Sequence, residues 1–218
     1  MGQKINPTGF RIGTFLPWKS RWFADDGRYK DYLLEDIKIR EALMKKLKLA
    51  GIDRVEIKRL PKSMVVTMYV ARPGVVIGRG GSGIEDIKNM ILDIIKKTRK
   101  EDVKDIKIDP RVIEIKNPEL SARLVATRIA SEMERRINHR RAVTRAMDRV
   151  MGAGAEGVKI VLSGRIAGTD IGRTEKYHRG SVPTQTMREN IDYAQVPALI
   201  KKGYVGVKVF IHKKQEEE

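Results

Sequence analysis

The stretch Val75–Lys88, VVIGRGGSGIEDIK, packs four glycines around one arginine, and two chemistries use that spacing. As Gly78-Arg79-Gly80-Gly81-Ser82-Gly83 it is a literal G-x-G-x-x-G, the turn that seats a dinucleotide pyrophosphate on a helix N-terminus. As Ile77-Gly78-x-x-Gly81-x-x-Ile84 it is a GxxG clamp for four nucleotides of single-stranded RNA.

A dinucleotide turn needs a strand running directly into the glycines at the carboxyl edge of a parallel sheet. Here the β-rich run ends at Val70, and Pro73-Gly74 follows, leaving only Val75, Val76 and Ile77 before the loop. Three residues make about one helical turn, so the loop is predicted to link two helices. Arg79 also occupies a place where close packing on a pyrophosphate wants a small residue. Asp105 or Asp109 could pose as the ribose acid, but no Gly-Lys-Ser/Thr of a Walker A loop follows. The RNA clamp uses every residue: Gly78, Gly80 and Gly81 bring backbone close to a sugar–phosphate chain, and Arg79 offers a guanidinium. The helix starting at Ser82 adds amide donors, and Lys88 extends the same basic track.

A second concentration of charge lies between Glu119 and Val150, with eight arginines, no lysine and four acids. Arg136 and Arg140 are four apart, as are Arg141, Arg145 and Arg149, a spacing that aligns side chains in rows along a helix. Exclusive use of Arg favours bidentate phosphate contacts. Leu120, Leu124, Ile129, Met133, Ile137, Val143 and Met147 form the apolar stripe on the other side.

Elements must position these groups. Tyr29–Ala50 repeats Leu33, Ile37, Leu43 and Leu47 near helical spacing, and Gly51 stops it. Ile52–Leu60 and Ser63–Val70 read as strands. Ser82-x-x-Glu85 reads as a capping box for a helix to about Lys100, and Val103–Lys116 as one bent strand or two. Asn117-Pro118 opens one long helix ending near Gly152. Strands are expected at 157–166, 174–178, 182–193 and 204–212. Residues 1–28 read as an N-terminal arm or tail, 29–117 and 118–212 as two domains, and 213–218 as a frayed end.

The net charge of +17, from 45 Lys and Arg against 28 Asp and Glu, points to a polyanionic partner, nucleic acid first. Only four Phe, six Tyr and two Trp argue for phosphate recognition over base stacking. The absence of cysteine excludes disulfides and thiolate chemistry, and His139, His178 and His212 are too scattered for a local metal motif. No catalytic residue, metal or cofactor is assigned. The absence of an apolar run near the roughly 20 residues of a membrane span predicts a soluble, cytoplasmic protein without a membrane partner. MGQKINPTGF lacks the h-region of a secretory signal.

Four segments carry a resemblance over nearly the whole chain: MGQKINPTGFRIG, PKSMVVTMYVARPGVVIGRGG, ARLVATRIASEMERRINHRRA and GVKIVLSGRIAGTDIGRTEKYHRGSVPTQTMRENIDY. Together they resemble bacterial-type small-subunit ribosomal protein three. The resemblance implies an α+β architecture: a type II K-homology domain, then an α+β domain with a long helix on a mixed or antiparallel sheet. It implies a non-enzymatic ribosomal protein in the head of the small subunit, bound to rRNA. Its implied neighbours are small-subunit proteins ten and fourteen, with proteins two, four and five nearby.

The family also lines the mRNA entry channel and helps separate mRNA duplexes without an NTPase of its own. By motif, HRRAVTR carries that role on Arg140 and Arg141, with Arg136, Arg145 and Arg149 alongside. The family's third basic position falls on Thr144, and Arg145 points about 100° further round the helix. Gln3, Lys4 and Arg11 are the expected rRNA contacts of the arm. The alternatives are a free K-homology RNA-binding regulator, or an enzyme: a dinucleotide-dependent oxidoreductase or a lysine-based lyase on damaged nucleic acid.

Overall fold

Asn6 begins the first helix: its side-chain oxygen accepts from the Thr8 and Gly9 amides, and Pro7 sits in the first turn, giving α1 (Pro7–Arg11). The structure, a computed structural model, describes residues 4–60, 62–99 and 107–214. Two compact units emerge. The segment through Pro17 groups with the chain from Asn117 onward, and Trp18–Lys116 forms the other unit. The expected arm of residues 1–28 is therefore divided. Its first half, as far as it is described, packs α1 on the C-terminal sheet, and its second half enters the K-homology unit.

In the Trp18–Lys116 unit, β1 (Ser20–Arg21) is followed by α2 (Asp26–Lys46), β2 (Ile52–Leu60), β3 (Ser63–Val70), α3 (Pro73–Ile77), α4 (Ser82–Arg99) and β4 (Lys107–Glu114). The sheet order is β1-β2-β3-β4, with β2–β3 antiparallel and β3–β4 parallel. This α-β-β-α-α-β order is the type II K-homology arrangement. Gly51 ends the α2 region with φ +69°, a left-handed stop that glycine adopts freely.

Ile39 and Leu43 of α2 and Ile87, Ile91 and Ile95 of α4 lie in one core with the sheet residues. The buried side of α2 is not the expected one throughout. Leu33 and Ile37 are exposed, while Glu35 and Asp36 are buried. Their burial is compensated by Arg59 on β2, whose Nη1 donates to Glu35 at 2.7 Å and whose Nε donates to Asp36 at 3.0 Å. Pro110 lies inside β4 as one continuous strand; β4 is an edge, where a missing N–H is tolerated. Val103–Ile106, the expected start of that strand, lie outside the described residues.

The unit containing the C-terminal half has α5 (Ala122–Glu134), α6 (His139–Gly152), β5 (Ala155–Gly164), β6 (Arg173–Gly180), β7 (Ile191–Ile200) and β8 (Gly203–Lys213). The sheet is antiparallel throughout, ordered β6-β5-β8-β7. One face carries Val158, Ile160 and Leu162 from β5 and Val205, Val207 and Val209 from β8 into the core under α5 and α6.

The long helix expected over 118–152 is two helices. Ser121 caps α5 by accepting from the Leu124 amide, and Asn138 caps α6 by accepting from the Arg140 amide. Between them Arg136 takes φ +62°. Each helix starts on its own N-cap, and the apolar stripe restarts at Val143. Asn117, expected to cap, makes no side-chain cap bond and only opens a short 3-10 turn.

A strand expected at 182–193 begins instead at Ile191 and runs to Ile200. Pro197 sits within it, again on an edge. Lys213, expected in the frayed end, closes β8 and pairs with Asp192 at 3.1 Å; residues 215–218 lie outside the described residues.

Candidate nucleic-acid interface

The GxxG loop joins α3 to α4, as the sequence predicts, and not a strand to a helix. Gly78 has φ +70°, Gly80 +62° and Gly81 +86°, three left-handed conformations in four residues. A Cβ at Gly80 or Gly81 would meet nothing within 4 Å, so their need for glycine is conformational and the backbone there is open. Gly83 is different: a Cβ there would lie 2.3 Å from the Val76 carbonyl oxygen. It lets α3 and α4 close on each other, a packing role that the spacing alone did not assign.

Gly78, Arg79, Gly80 and Lys88 are exposed and Gly81 is half-buried, so each of the predicted residues is open to solvent. Ser82 is already helical (φ −55°, ψ −34°), and its hydroxyl donates back to the Arg79 carbonyl oxygen at 3.1 Å. The expected capping box at Ser82 is not formed. The hydroxyl instead fixes the turn that carries Arg79.

On α6, Arg140, Arg141, Thr144 and Arg149 are exposed and Arg145 is half-buried. Arg136 stands apart in the turn before α6, so the row expected from Arg136 to Arg140 is broken by the left-handed residue. Thr144 lies on the side of Arg140 and Arg141, at helical offsets of four and three. The row from Arg140 therefore carries no cation at Thr144, while Arg145 and Arg149 continue the row from Arg141.

The sequence reading missed the residues that surround Arg140. Its side chain lies against the Tyr177 hydroxyl, which in turn donates to the Glu175 carboxylate at 2.5 Å. Glu175 also accepts from Arg173 Nε at 2.7 Å, and His139 Nε2 lies 3.0 Å away. The Tyr177 hydroxyl, followed by Arg173 and the charge of His139, holds the Glu175 carboxyl below its ordinary value. Burial, with the Glu175 bond and charge, pushes the Tyr177 hydroxyl above its ordinary value. The alternation of β6 puts Glu175 and Tyr177 on one face, a legible signal. That this face meets the start of α6 is a long-range fact with no local trace.

The predicted arm contacts separate three ways. Gln3 lies outside the described residues, and Lys4 is exposed. Arg11 is 1% exposed. Its Nε donates to the Glu189 carbonyl oxygen at 2.8 Å, its Nη1 to that of Pro7 at 3.0 Å, and its Nη2 to that of Thr186 at 2.6 Å. A guanidinium buried among main-chain acceptors is not available to rRNA, so Arg11 is a structural residue. Burial lowers its pKa, and the Glu189 charge opposes that.

Of the histidines, His139 and His212 are buried. His212 Nδ1 lies 3.0 Å from the Ser181 carbonyl oxygen and Nε2 2.9 Å from the Glu189 carboxylate. Among the described residues no group of three or more His, Asp or Glu is arranged to hold a metal, and no helix is long and apolar enough to cross a membrane.

Comparison with known proteins matches both halves. Residues 38–120 match the family model of the KH domain, and residues 129–211 match that of the ribosomal protein S3 C-terminal domain. The chain is 46% identical over 214 residues to the small ribosomal subunit protein uS3 of Caldicellulosiruptor saccharolyticus, covering 98% of this chain and 92% of the relative. It is 44% identical to the protein of the same name from Leuconostoc citreum, covering 98% and 95%. Its identity to that from Clostridium acetobutylicum is 41%, covering 97% and 92%.

Proposed function

The chain belongs to the ribosomal protein S3 family, and on that premise we propose that it is an rRNA-anchored protein of the small-subunit head that lines the mRNA entry channel. It works within the cytoplasmic ribosome as a structural, non-enzymatic component. Its neighbours are small-subunit proteins ten and fourteen, with proteins two, four and five close by. The GxxG loop offers its open backbone, Arg79 and Lys88 to single-stranded RNA.

The observation that carries the channel role is the disposition of Arg140 and Arg141. Both are exposed in the first turn of α6, and Arg140 lies beside the Tyr177 hydroxyl. Separating one base-pair step costs about 1.4 kcal/mol by the DNA stacking scale. Charge-assisted contacts contribute about 1.5–3 kcal/mol each, so two arginines on a separated strand are enough to hold one frayed step open. Translocation by the ribosome supplies the direction, and no nucleotide hydrolysis on this chain is needed.

The test is translation through a stable mRNA hairpin by ribosomes carrying R140A/R141A. Slower passage through the hairpin, with unstructured messages read at the normal rate, is the expected result. Equal passage through both messages would end the proposal.

A further inference from the structure

The sheet of the C-terminal unit has a second face, turned away from α5 and α6, and its chemistry is unlike the rest of the surface. Register places Lys159 of β5 opposite Phe210 of β8, and Phe210 opposite Tyr193 of β7. Two residues along, Val161 lies opposite Lys176 on one side and Lys208 on the other. The two rows are thus about 7 Å apart, close to the spacing of successive nucleotides.

The segment from Lys4 to Phe10 and the Thr184–Gln185 loop wall this face and leave a cavity of about 670 Å³. That is within the range of about 300–1,000 Å³ that small organic groups occupy. Arg11 builds the wall by tying α1 to the carbonyl oxygens of Thr184 and Thr186.

Four lysines, Lys4, Lys159, Lys176 and Lys208, converge on the cavity, and among the described residues no carboxylate lines it. Burial and the charges of Lys4 and Lys176 lower the Lys159 pKa, so the free protein holds this arrangement against repulsion. An anion between them relieves that repulsion. Tyr193 and Phe210 form a ring pair with centroids 4.8 Å apart, half-buried at the floor, and Lys159 Nζ lies 5.6 Å from the Phe210 ring. A bare anion site has no use for this pair. A nucleotide uses both features, its base on an aromatic face and its phosphates on ammonium groups.

The geometry points to a second single-stranded RNA site on the open face of the β6-β5-β8-β7 sheet, in which a base stacks at Phe210 and Tyr193 while Lys159, Lys176, Lys208 and Lys4 hold the flanking phosphates. The ligand class rests on the family assignment. The site uses none of the α6 or GxxG residues, so it can fail while the channel role stands.

The experiment uses the full chain and a 4-thiouridine-containing hexauridylate, with crosslinks mapped to peptides and affinity followed against salt. Four proteins are compared: wild type, K159Q/K208Q, F210L and R140A/R141A. Crosslinks in the wild type are expected on the peptides holding Tyr193 and Phe210. In K159Q/K208Q those crosslinks should disappear, and the slope of log affinity against log salt should fall by about 1.4 for two lost phosphate contacts. The variant F210L, which keeps the apolar volume, should bind hexauridylate about tenfold more weakly at an unchanged melting temperature.

Wild-type crosslinks confined to α6 or to Gly78–Lys88 would overturn this inference and leave the channel proposal untouched. Equal competition by inorganic triphosphate with no crosslink at the ring pair would reduce the site to an anion pocket and overturn it as well. The same holds if only a protein partner protects this face. No binding of hexauridylate anywhere would count against the RNA reading of both surfaces.

Discussion

Arg11 and Glu189 stand 178 positions apart in the chain, yet the Arg11 Nε donates to the Glu189 carbonyl oxygen at 2.8 Å. The Glu189 carboxylate meets His212 on β8 at 2.9 Å, so the 184–189 loop is held from both sides. A basic residue near the N-terminus thereby serves as an internal clasp.

Replacing Arg11 should loosen that clasp without touching the arginine helix. R11K keeps a charge but loses the fork that reaches several carbonyl oxygens at once. A loss of about 2–3 kcal/mol in the C-terminal unit is expected from the unmet carbonyls. Amide exchange should quicken over 4–10 and 184–189 and stay unchanged in Trp18–Lys116. Unaltered protection of the loop would contradict the clasp.

Asp36 plays the corresponding part in the K-homology unit. It accepts from Ser20 Oγ at 2.7 Å and Trp22 Nε1 at 2.8 Å, and it pairs with Arg59. D36A leaves the Arg59 guanidinium only Glu35 as a carboxylate partner and takes the acceptor from the Ser20 hydroxyl and the Trp22 indole N–H, at about 1–3 kcal/mol for each unmet donor. Tryptophan emission should shift and the urea midpoint of this unit should fall; a small change in both would show that the network relaxes around the loss.

The glycines of the loop should separate by mechanism. G83A drives a Cβ into the Val76 carbonyl oxygen, so α3 and α4 must part, at about 1–3 kcal/mol. G80A meets open space and carries only the strain of φ +62°, about 1 kcal/mol. G83A should therefore lower the melting temperature more than G80A, whereas G80A should affect RNA binding without a comparable loss of fold. The reverse order of melting temperatures would refute the assignment of Gly83 to packing.

Glu175 gives an acid-dependent contribution with a defined sign. Its folded-state pKa lies below the ordinary 4.5, because Tyr177 and Arg173 donate to the ionised form and His139 adds charge. The folded state therefore favours the carboxylate, and the stabilisation is present above the ordinary value. It begins to fade as the pH falls to 4.5 and is gone once the pH is below the lowered folded value. The stability gap between wild type and E175Q should follow that course. A gap that stayed constant through acid would show that Glu175 acts without its charge.

The sequence determined the chemistry and the local elements. The GxxG loop between helices, the strands around it and the basic character follow from Pro73, the glycine spacing, period-two alternation and net charge, all of which act over a few residues. The α6 arginines were legible too, except that Asn138 and the left-handed Arg136 cut one expected helix into two. A good N-cap inside an apolar stripe looks locally like an interruption as readily as a continuation.

Only the tertiary structure decided which cations face solvent. Arg11 and Arg140 have the same side chain; one is buried among carbonyl oxygens brought from the far end of the chain, and the other is exposed at the start of α6. The lysines of β5, β6 and β8 meet because strand register brings them together, and register is set by the shared core beneath the sheet. Burial and convergence depend on contacts between distant residues, which local spacing does not encode.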